Sequence, residues 1–391
     1  MQATSRAPIL NWYELKQEIR FEFFSSVGVL ELDSCRIVVK PKFHNGFHDV
    51  IQMVLFTEDI PLSIEHDTKG GHDAESLYEL LVRLYIKQVE MILERGVTKE
   101  YINEENNLNV LRGRLNMRKQ LQLNYSRPTK IYCHYDELET NILDNQVLRS
   151  VLEVARRLPL TKSTARRVQQ LLHEFTNLTD LFHHTEWPRF TYNRLNQHYE
   201  YAHKLGYYIW QQQYTNQMYQ FSSDSHFSFF IDMNELFEAF VGKWLEQYTP
   251  PTTKVHLQKF FKKAMISNET SYHNIKPDII IETPNEPALV IDTKYKNYGN
   301  KKVSNSDIYQ LAFYGQFLQK ENKPYRAMIL YPRYTGEDAK EEVIELLPGT
   351  DYAGRLFVRA VPVEKLIEEI KHKNNDYLFD VAARTLSIRM S

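Results

Sequence analysis

The sequence predicts an α/β protein, with a mixed α+β amino-terminal region that includes helical segments, followed by a carboxy-terminal α/β domain. Short apolar runs typical of strands alternate with helical patterns along the chain. Two continuous apolar runs, residues 279–281 and 289–291, also lie close together in its last third. Because 391 residues are enough for two domains with separate cores, we expect the amino-terminal region to cover residues 1–220 and the carboxy-terminal domain residues 221–391.

The amino-terminal region should begin with a small sheet and continue with helices and further strands. Apolar or alternating runs predict the strands, and apolar residues at helical spacing predict the helices. One helix, from Asp73 to Arg95, should end at Gly96, because glycine is favoured just after a helix. The predicted strands cover residues 28–32, 36–42, 110–115 and 130–135, and the other predicted helices cover residues 145–158, 162–177 and 196–213.

The carboxy-terminal domain should contain an amphipathic helix that follows Asp232. Asp232 and Glu235 are three residues apart, which fits an N-terminal capping pattern and gives Glu235 a structural role. Glu238 lies at the edge of the apolar face and is the better candidate for an acidic ligand, although the choice between the two glutamates stays open. The apolar face comprises Met233, Leu236, Phe237, Phe240, Val241, Trp244 and Leu245.

The two apolar runs predict a buried hairpin with polar residues at one end. Residues 283–287 are rich in turn formers, so the chain should reverse there and bring Asp278 beside the end of the second strand. Asp292 and Lys294 are two residues apart and should share one face, while Thr293 points to the other. Two aspartates suit Mg²⁺, which prefers hard oxygen ligands, and could hold the ion beside a scissile phosphate group. Lys294 would face that phosphate. The hairpin therefore predicts a metal-dependent phosphodiesterase centre.

A further helix is predicted after the hairpin. Residues 304–307 begin it with capping residue types, and Gln310 and Tyr314 stand four residues apart on one face. Either side chain can form a hydrogen bond with a phosphate or a water molecule. Both are therefore candidates for accessory roles at the same site.

The order of these motifs resembles the PD-(D/E)xK nuclease superfamily, particularly its RecB-like branch. The shared features are an acidic helix, Pro277-Asp278, Asp292-Thr293-Lys294 and Gln310 with Tyr314, within residues 228 to 335. The resemblance implies a restriction-endonuclease-like α/β domain in which Glu238, Asp278 and Asp292 surround Mg²⁺. It also implies that Lys294 is the catalytic lysine, that Gln310 and Tyr314 are accessory site residues, and that a metal-activated water attacks the phosphorus in line.

A second resemblance covers most of the chain, from about Gly28 to Tyr331. The segments that carry it are 111–115 (LRGRL), 133–138 (CHYDEL), 141–148 (NILDNQVL) and 232–238 (DMNELFE), and they are similar to the McrC family of modification-dependent restriction systems. The family implies a nuclease subunit, used in phage defence, that cleaves DNA only with McrB, an AAA+ GTPase ring that recognises modified cytosine such as 5-methylcytosine. The amino-terminal region would dock in the ring and stimulate GTP hydrolysis.

The chain's own motifs fit this division of labour. It contains no Gly-x-x-x-x-Gly-Lys-Ser/Thr phosphate loop, so GTP should be bound by the partner. Arg112, Arg114, Arg118 and Lys119 are candidates for contacting the ring, because such side chains pair with carboxylates and phosphates. A solvated basic segment explains these four residues about equally well. The net charge of −2 argues against strong sequence-independent binding of DNA by the whole chain.

We expect a cytoplasmic protein. No apolar stretch predicts a membrane span, Met1 to Arg6 lack the apolar segment of a signal peptide, and Cys35 and Cys133 form no disulfide or zinc-ligand pattern. Both cysteines should be small buried residues. Two other functions stay open: an autonomous RecB-like DNA repair nuclease that needs no ring, and a non-catalytic activator or scaffold of an AAA+ ring.

Overall fold

A computed structural model provides the fold. It describes residues 10–16, 18–32, 35–61, 77–126, 129–212, 227–267, 270–284, 286–296, 298, 302–319, 323–336 and 341–387. The chain forms two compact units, one of residues 78–222 and one of residues 1–77 together with 223–391. We call them the inserted unit and the discontinuous unit.

The described residues contain both strands and helices, which confirms the predicted α/β class. The strands are β1 Leu10–Leu15, β2 Glu18–Phe23, β3 Ser26–Leu32, β4 Cys35–Val39, β5 Glu100–Leu108, β6 Arg114–Leu115, β7 Ile131–Glu139, β8 Phe227–Asp232, β9 Lys254–Leu257, β10 Phe261–Ser267, β11 Thr270–Ile275, β12 Ile279–Glu282, β13 Leu289–Thr293, β14 Tyr325–Arg333, β15 Glu342–Leu346 and β16 Gly354–Pro362. The helices are α1 Phe47–Thr57, α2 Leu77–Arg95, α3 Met117–Asn124, α4 Leu143–Arg156, α5 Lys162–Thr176, α6 Glu200–Trp210, α7 Met233–Tyr248, α8 Asn305–Leu318, α9 Val363–Lys371 and α10 Asn375–Leu386, with a 3₁₀ turn at Gln197–Tyr199.

The inserted unit combines a helical core with a small antiparallel sheet. Helix α4 packs against α5 and α6, and the sheet has the strand order β5-β7-β6. Helix α2 ends before Gly96, which has a φ of 96° and takes up the left-handed conformation that glycine adopts without strain. That predicted helix end is confirmed, whereas its predicted start at residues 73–76 lies outside the described residues, as does residue 213 of the last predicted helix.

One prediction for the inserted unit was wrong. Residues 110–113 form a loop, and only Arg114 and Leu115 of the predicted strand pair with β7. The longer strand beside β7 is Glu100–Leu108, whose sequence is too polar to be read as a strand. Pairing with β7, rather than its own apolar pattern, makes this segment extended, because cross-strand context outweighs intrinsic β propensity.

The discontinuous unit is built around a six-stranded mixed sheet with the order β15-β16-β14-β13-β12-β9. Strands β12 and β13 form the predicted antiparallel hairpin, with Ile279 opposite Ile291. Strands β13, β14 and β16 run parallel to one another. Helix α8 packs on β13, β14 and β16, and its Leu311 lies in one buried cluster with strand residues Val290, Ala327, Ile329, Leu356 and Val358. The hairpin is therefore buried on both faces, as its apolar runs predict.

The first strands of the chain belong to the discontinuous unit. Strand β3 pairs with β4 on one side and with β8 on the other, so residues 26–32 lie beside residues 227–232. At Gly28 the approach is so close that a Cβ atom would collide with the backbone of Phe229. Helix α1, which was not predicted, packs on α7 in the same unit. The residues before 77 therefore group with the carboxy-terminal part, whereas the division at residue 220 assigned them to the amino-terminal region.

The structure also tests the predicted helix face, the end of strand β4, the burial of the two cysteines and the predicted absence of a membrane span. All seven apolar residues of the predicted helix face are buried in α7. Strand β4 ends at Val39, three residues earlier than expected. Cys133 is buried, as predicted, but Cys35 is exposed, because it lies on the outer strand β4, so that prediction was wrong. Within the described residues, no helix combines the length and apolar character needed to cross a membrane.

Candidate active site

Asp278 directly precedes β12 and lies beside the end of β13. Its Oδ2 accepts hydrogen bonds from the Thr293 backbone N–H at 2.8 Å and from the Thr293 hydroxyl at 3.0 Å. The antiparallel register produces this contact, because it places the start of β12 opposite the end of β13. Thr293 was expected only to point away from the site, but its side chain anchors Asp278.

Asp292 and Lys294 lie together, as their spacing predicts. The ammonium of Lys294 is 3.1 Å from Asp292 Oδ1, to which it donates a hydrogen bond, and 2.8 Å from Oδ2. The Asp292 side chain is only 3% exposed. Its Oδ2 is buried and accepts no hydrogen bond of adequate geometry, despite the short distance to the ammonium. Both oxygens of Asp292 therefore lie beside the ammonium, but only Oδ1 accepts a well-directed hydrogen bond.

Glu238 is the helix carboxylate on the side of Asp278. It lies on α7, is half-buried, and accepts a hydrogen bond of 2.7 Å from the side-chain amide of Gln258. Its charge and that of Asp278 repel each other. Glu235 is exposed in the first turn of the same helix, after the N-cap Asp232. This arrangement favours Glu238 over Glu235 as the acidic ligand, a choice that the sequence left open.

Asp307 is brought to this site by the first turn of α8, and the sequence did not nominate it. Its Oδ2 accepts hydrogen bonds from the hydroxyls of Tyr298 at 2.5 Å and Ser304 at 2.6 Å, and its Oδ1 lies 4.0 Å from Lys294 Nζ. Lys296 reaches the same carboxylate at 3.5 Å. The pattern of Ser304 followed three residues later by Asp307 signals a capping box. It predicts the helix start but not the contact with Lys294.

Gln310 and Tyr314 lie on one face of α8, as predicted. The Gln310 amide donates a hydrogen bond of 3.3 Å to the Tyr314 hydroxyl. Gln310 is exposed and Tyr314 is half-buried, and the structure places both farther along the helix than Asp307. Within the described residues, neither side chain forms a hydrogen bond with Asp278 or Asp292.

The electrostatics of the site are dominated by three carboxylates. Burial, and then the charge of Asp278, raises the pKa of Asp292 to about 6. Burial also raises the pKa of Asp278, although its bonds to Thr293 oppose the change. Burial and the charge of Asp278 raise the pKa of Glu238. Burial alone would lower the pKa of Lys294, but the nearby Asp292, Asp278 and Asp307 hold it above its ordinary value.

The three carboxylates are the ligand type that a hard divalent cation prefers, but their positions do not form a complete coordination site. Within the described residues, no three His, Cys, Asp or Glu side chains already converge closely enough to hold a metal ion. Each acid has its own donor instead: Thr293 for Asp278, Lys294 for Asp292 and Gln258 for Glu238. A cation would compensate for the burial of these acids and for the repulsion that Asp278 exerts on Asp292 and Glu238. The Oδ2 of Asp292, which lacks a well-directed hydrogen bond, offers it an oxygen ligand.

The four basic candidates for a partner contact lie in the inserted unit and differ in whether they already pair with neighbouring side chains. Arg112 donates a 3.0 Å hydrogen bond to Glu137 and stacks on the Tyr135 ring, and Lys119 pairs with Glu105 and donates to the Tyr132 hydroxyl. Arg114 and Arg118 are exposed, and neither forms an ion pair within the described residues. The exposed apolar residues around them are Val110, Leu111, Leu115, Met117, Leu121 and Leu123.

Comparison with known proteins places these observations in context. A family described as "McrBC 5-methylcytosine restriction system component" matches residues 22–332. The chain resembles a solved half-complex of Thermococcus gammatolerans McrB AAA+ hexamers with bound McrC, with a TM-score of 0.63 and 19% identity, over 94% of this chain and 86% of that chain. For the cryo-EM structure of the Thermococcus gammatolerans McrBC complex, the TM-score is 0.45 at 20% identity, over 59% and 68% of the two chains. No curated protein sequence matches.

Proposed function

Because the chain belongs to the McrC family of components of the McrBC 5-methylcytosine restriction system, we propose that it is the nuclease subunit of a modification-dependent restriction complex. In this proposal it hydrolyses DNA phosphodiester bonds with Mg²⁺, and a partner AAA+ GTPase ring controls the cleavage. The chain in turn stimulates the ring's GTPase. The substrate is double-stranded DNA that carries modified cytosine, and the ring recognises the modification.

The observation that carries the nuclease proposal is the end of the β12–β13 hairpin. There a buried Asp292 pairs with Lys294 at 2.8 Å, and Asp278 is fixed on Thr293 beside them. Burying charged groups at strand ends costs free energy even when they are paired, and buried acids with raised pKa values are typical of functional sites. A purely structural hairpin would be more stable with apolar or exposed residues at these positions.

Asp278, Asp292 and Glu238 are the residues that would hold Mg²⁺. When bound, the ion lowers the pKa of a ligated water and neutralises charge on the phosphate oxygens. Thr293 keeps Asp278 in place through two hydrogen bonds. The separate donors of the three acids allow them to remain ionised beside one another until a cation joins them.

Lys294 acts in this proposal as an ammonium rather than as a base. In the cation-free chain, burial lowers the pKa of Lys294, but the surrounding carboxylates outweigh this effect and hold it above the ordinary value, so the proton stays on its nitrogen at neutral pH. A fixed positive charge at the end of β13 can orient a phosphate and stabilise the negative charge that develops on its oxygens. Gln310 and Tyr314 would serve as accessory hydrogen-bonding groups on the neighbouring helix α8.

The inserted unit is proposed to dock on the partner ring. Docking explains why the segment 110–123 exposes a series of large apolar side chains that a free surface would not favour. The related half-complex from Thermococcus gammatolerans contains McrB AAA+ hexamers with bound McrC. Arg114 and Arg118 are better contact candidates than Arg112 and Lys119, because the latter two already pair within the unit.

The experiment that tests the proposal is cleavage of methylated and unmethylated plasmid by the purified chain with Mg²⁺, with and without a McrB-like partner and GTP. We expect cutting only with methylation, partner and GTP together, and no cutting by Asp292→Ala. Cutting by the chain alone would favour an autonomous RecB-like nuclease. GTPase stimulation without any cutting would favour a non-catalytic activator of the ring.

The same experiment can separate the two proposed activities. The acids lie in the discontinuous unit and the docking candidates in the inserted unit. Asp278→Ala and Asp292→Ala should therefore abolish cleavage but leave GTPase stimulation at the wild-type level. Loss of both activities in a folded variant would contradict this separation.

A further inference from the structure

Gln258 has an unusual backbone conformation beside the candidate site. It follows β9 with a φ of 47°, in the left-handed region that residues other than glycine seldom adopt. Its side chain is exposed, so burial does not hold the residue in this conformation. Its backbone N–H donates a hydrogen bond of 2.7 Å to the carbonyl oxygen of Asp278. Strained residues that persist for such specific contacts are concentrated at functional sites.

The Gln258 side chain connects two charged groups of opposite sign. Its amide nitrogen donates to Glu238 Oε1 at 2.7 Å, and its amide oxygen accepts from Lys276 Nζ at 2.6 Å. The orientation of the amide follows from this chemistry, because the reverse orientation would place an oxygen on the carboxylate and an NH₂ group on the ammonium. Both ends of the side chain are therefore used, and its rotation is fixed.

These contacts join three separate pieces of the discontinuous unit. Glu238 lies on helix α7, Asp278 directly precedes β12, and Gln258 directly follows β9, which pairs with β12. The left-handed turn at Gln258 lets one residue contact Asp278 through its backbone and Glu238 through its side chain. An unstrained backbone at this position would direct the N–H and the side chain differently.

We propose that Gln258 is a positioning residue for the cation site, which orients Glu238 through its amide and fixes the backbone of Asp278 through its N–H. This inference rests on the proposed nuclease function. Residues that orient metal ligands by hydrogen bonds commonly change metal affinity when they are replaced. In this chain, Gln258 links the carboxylate of Glu238 to the backbone of Asp278, and within the described residues no direct hydrogen bond joins the two acids.

The test compares two substitutions that separate the strain from the hydrogen bonds. Gln258→Gly removes the amide and relieves the strained backbone, whereas Gln258→Ala removes the amide and keeps the strain. We expect Gln258→Gly to have a higher melting temperature than Gln258→Ala. Both variants should nevertheless bind Mn²⁺, used as the probe cation in calorimetric titrations of the full chain, about ten-fold more weakly than the wild type.

Two controls make the result specific. Lys373 also has a left-handed backbone, with a φ of 55°, at the end of helix α9. Lys373→Gly should leave Mn²⁺ binding unchanged, because Lys373 contributes no hydrogen bond to the candidate site. Asp278→Ala should abolish the Mn²⁺ binding, which identifies the titrated site.

Either contrary outcome is informative. If Gln258→Gly binds Mn²⁺ as the wild type does, Gln258 serves only the turn, and the inference is wrong while the cation site remains. If the wild-type chain binds no Mn²⁺ and cuts no DNA with its partner, the proposed function fails and the inference fails with it. In cleavage by the complete complex, we expect Gln258→Gly to require more Mg²⁺ for half-maximal rate, with little change in partner-stimulated GTPase.

Discussion

Asp292 illustrates at the scale of one residue how a site can oppose the stability of its own fold. The carboxylate is buried, the charge of Asp278 acts on it, and its Oδ2 accepts no well-directed hydrogen bond although the Lys294 ammonium is 2.8 Å away. Lys294 compensates for part of the cost, but the pKa of Asp292 still rises to about 6. A raised carboxylate pKa means that the charged form is less stable in the folded chain than in the unfolded chain.

Asp292→Asn should therefore stabilise the chain at pH 8 in the presence of EDTA. The folded pKa exceeds the ordinary value of 3.8, so Asp292 favours folding below about pH 4, and this contribution is lost as pH rises through 6. We expect a gain on the order of 1–3 kcal/mol at pH 8 that disappears near pH 4, measured by urea unfolding. Asp351→Asn, at an exposed position, is the control and should change neither value. A loss of stability at pH 8 would contradict the prediction.

Cation binding should have its own pH dependence. Protons and the cation compete for Asp292, so the affinity for Mn²⁺ should be constant above pH 7 and fall below about pH 6. One competing proton implies roughly a ten-fold loss for each pH unit in that range. Calorimetric titrations at pH 5, 6 and 7.5 measure this change. Equal affinities at all three pH values would exclude Asp292 as a ligand.

Arg114 and Arg118 are the residues at which the docking proposal can be tested most directly. Reversing an interface charge slows association and opposes binding, so Arg114→Glu and Arg118→Glu should each weaken partner binding about ten-fold. GTPase stimulation should fall to the same degree at limiting concentrations. Arg166→Glu, at an exposed position on α5 of the same unit, is the matched control. If all three variants bind the partner equally, segment 110–123 is not the docking surface.

At the scale of elements, helix α8 fixes the surroundings of the hairpin. Its first turn supplies Asp307 to Lys294, and its middle packs closely on the sheet. Gly315 of the helix and Gly354 of β16 both face the ring of Tyr325, and a Cβ atom at either position would collide with it. The helix can therefore approach β14 only because these two positions lack side chains.

Gly315→Ala should move α8 away from the sheet and destabilise the protein by about 1–3 kcal/mol, the usual cost of overpacking. Urea unfolding measures the change. Gln316→Ala, at the next and exposed position of the helix, is the control and should be neutral or slightly stabilising. A Gly315→Ala variant as stable as Gln316→Ala would show that the ring of Tyr325 moves aside at no cost.

At the scale of the whole molecule, the chain first forms part of the discontinuous unit, then forms the inserted unit, and finally completes the discontinuous unit. Strand β3 pairs with β8, and Phe56 of α1 contacts Phe240 of α7 with ring centroids 5.3 Å apart. The residues between these elements, 78–222, form a unit of their own. A fragment cut near residue 220 would therefore lack a strand and a helix that cover its core.

Expression of three fragments tests this organisation. Residues 78–222 alone should fold, and so should residues 1–77 joined to 223–391 by a flexible glycine and serine linker. Residues 221–391 alone should not unfold cooperatively, because buried surfaces of β8 and α7 would be exposed. Circular dichroism and thermal unfolding distinguish these outcomes. A cooperative transition for residues 221–391 would show that the first strands are dispensable.

The sequence by itself determined the features that depend on short stretches of chain. Helix α7, the hairpin with its buried strands, the start of α8 and the pairing of Asp292 with Lys294 all follow from periods of two or 3.6 residues and from capping patterns. The choice of Asp278 as a neighbour of the second strand also follows, because a short turn fixes the register. These relations span few residues, so local spacing contains them.

Only the tertiary structure decided the contacts between distant segments. Glu238 rather than Glu235 has a partner near Asp278, because Gln258 arrives there from another strand. Asp307 reaches Lys294, and β3 joins β8 across some two hundred residues, for the same reason. Such contacts depend on which surfaces exclude water together when the whole chain packs. No local spacing records that choice, so the assembly of the candidate site appears only in the folded molecule.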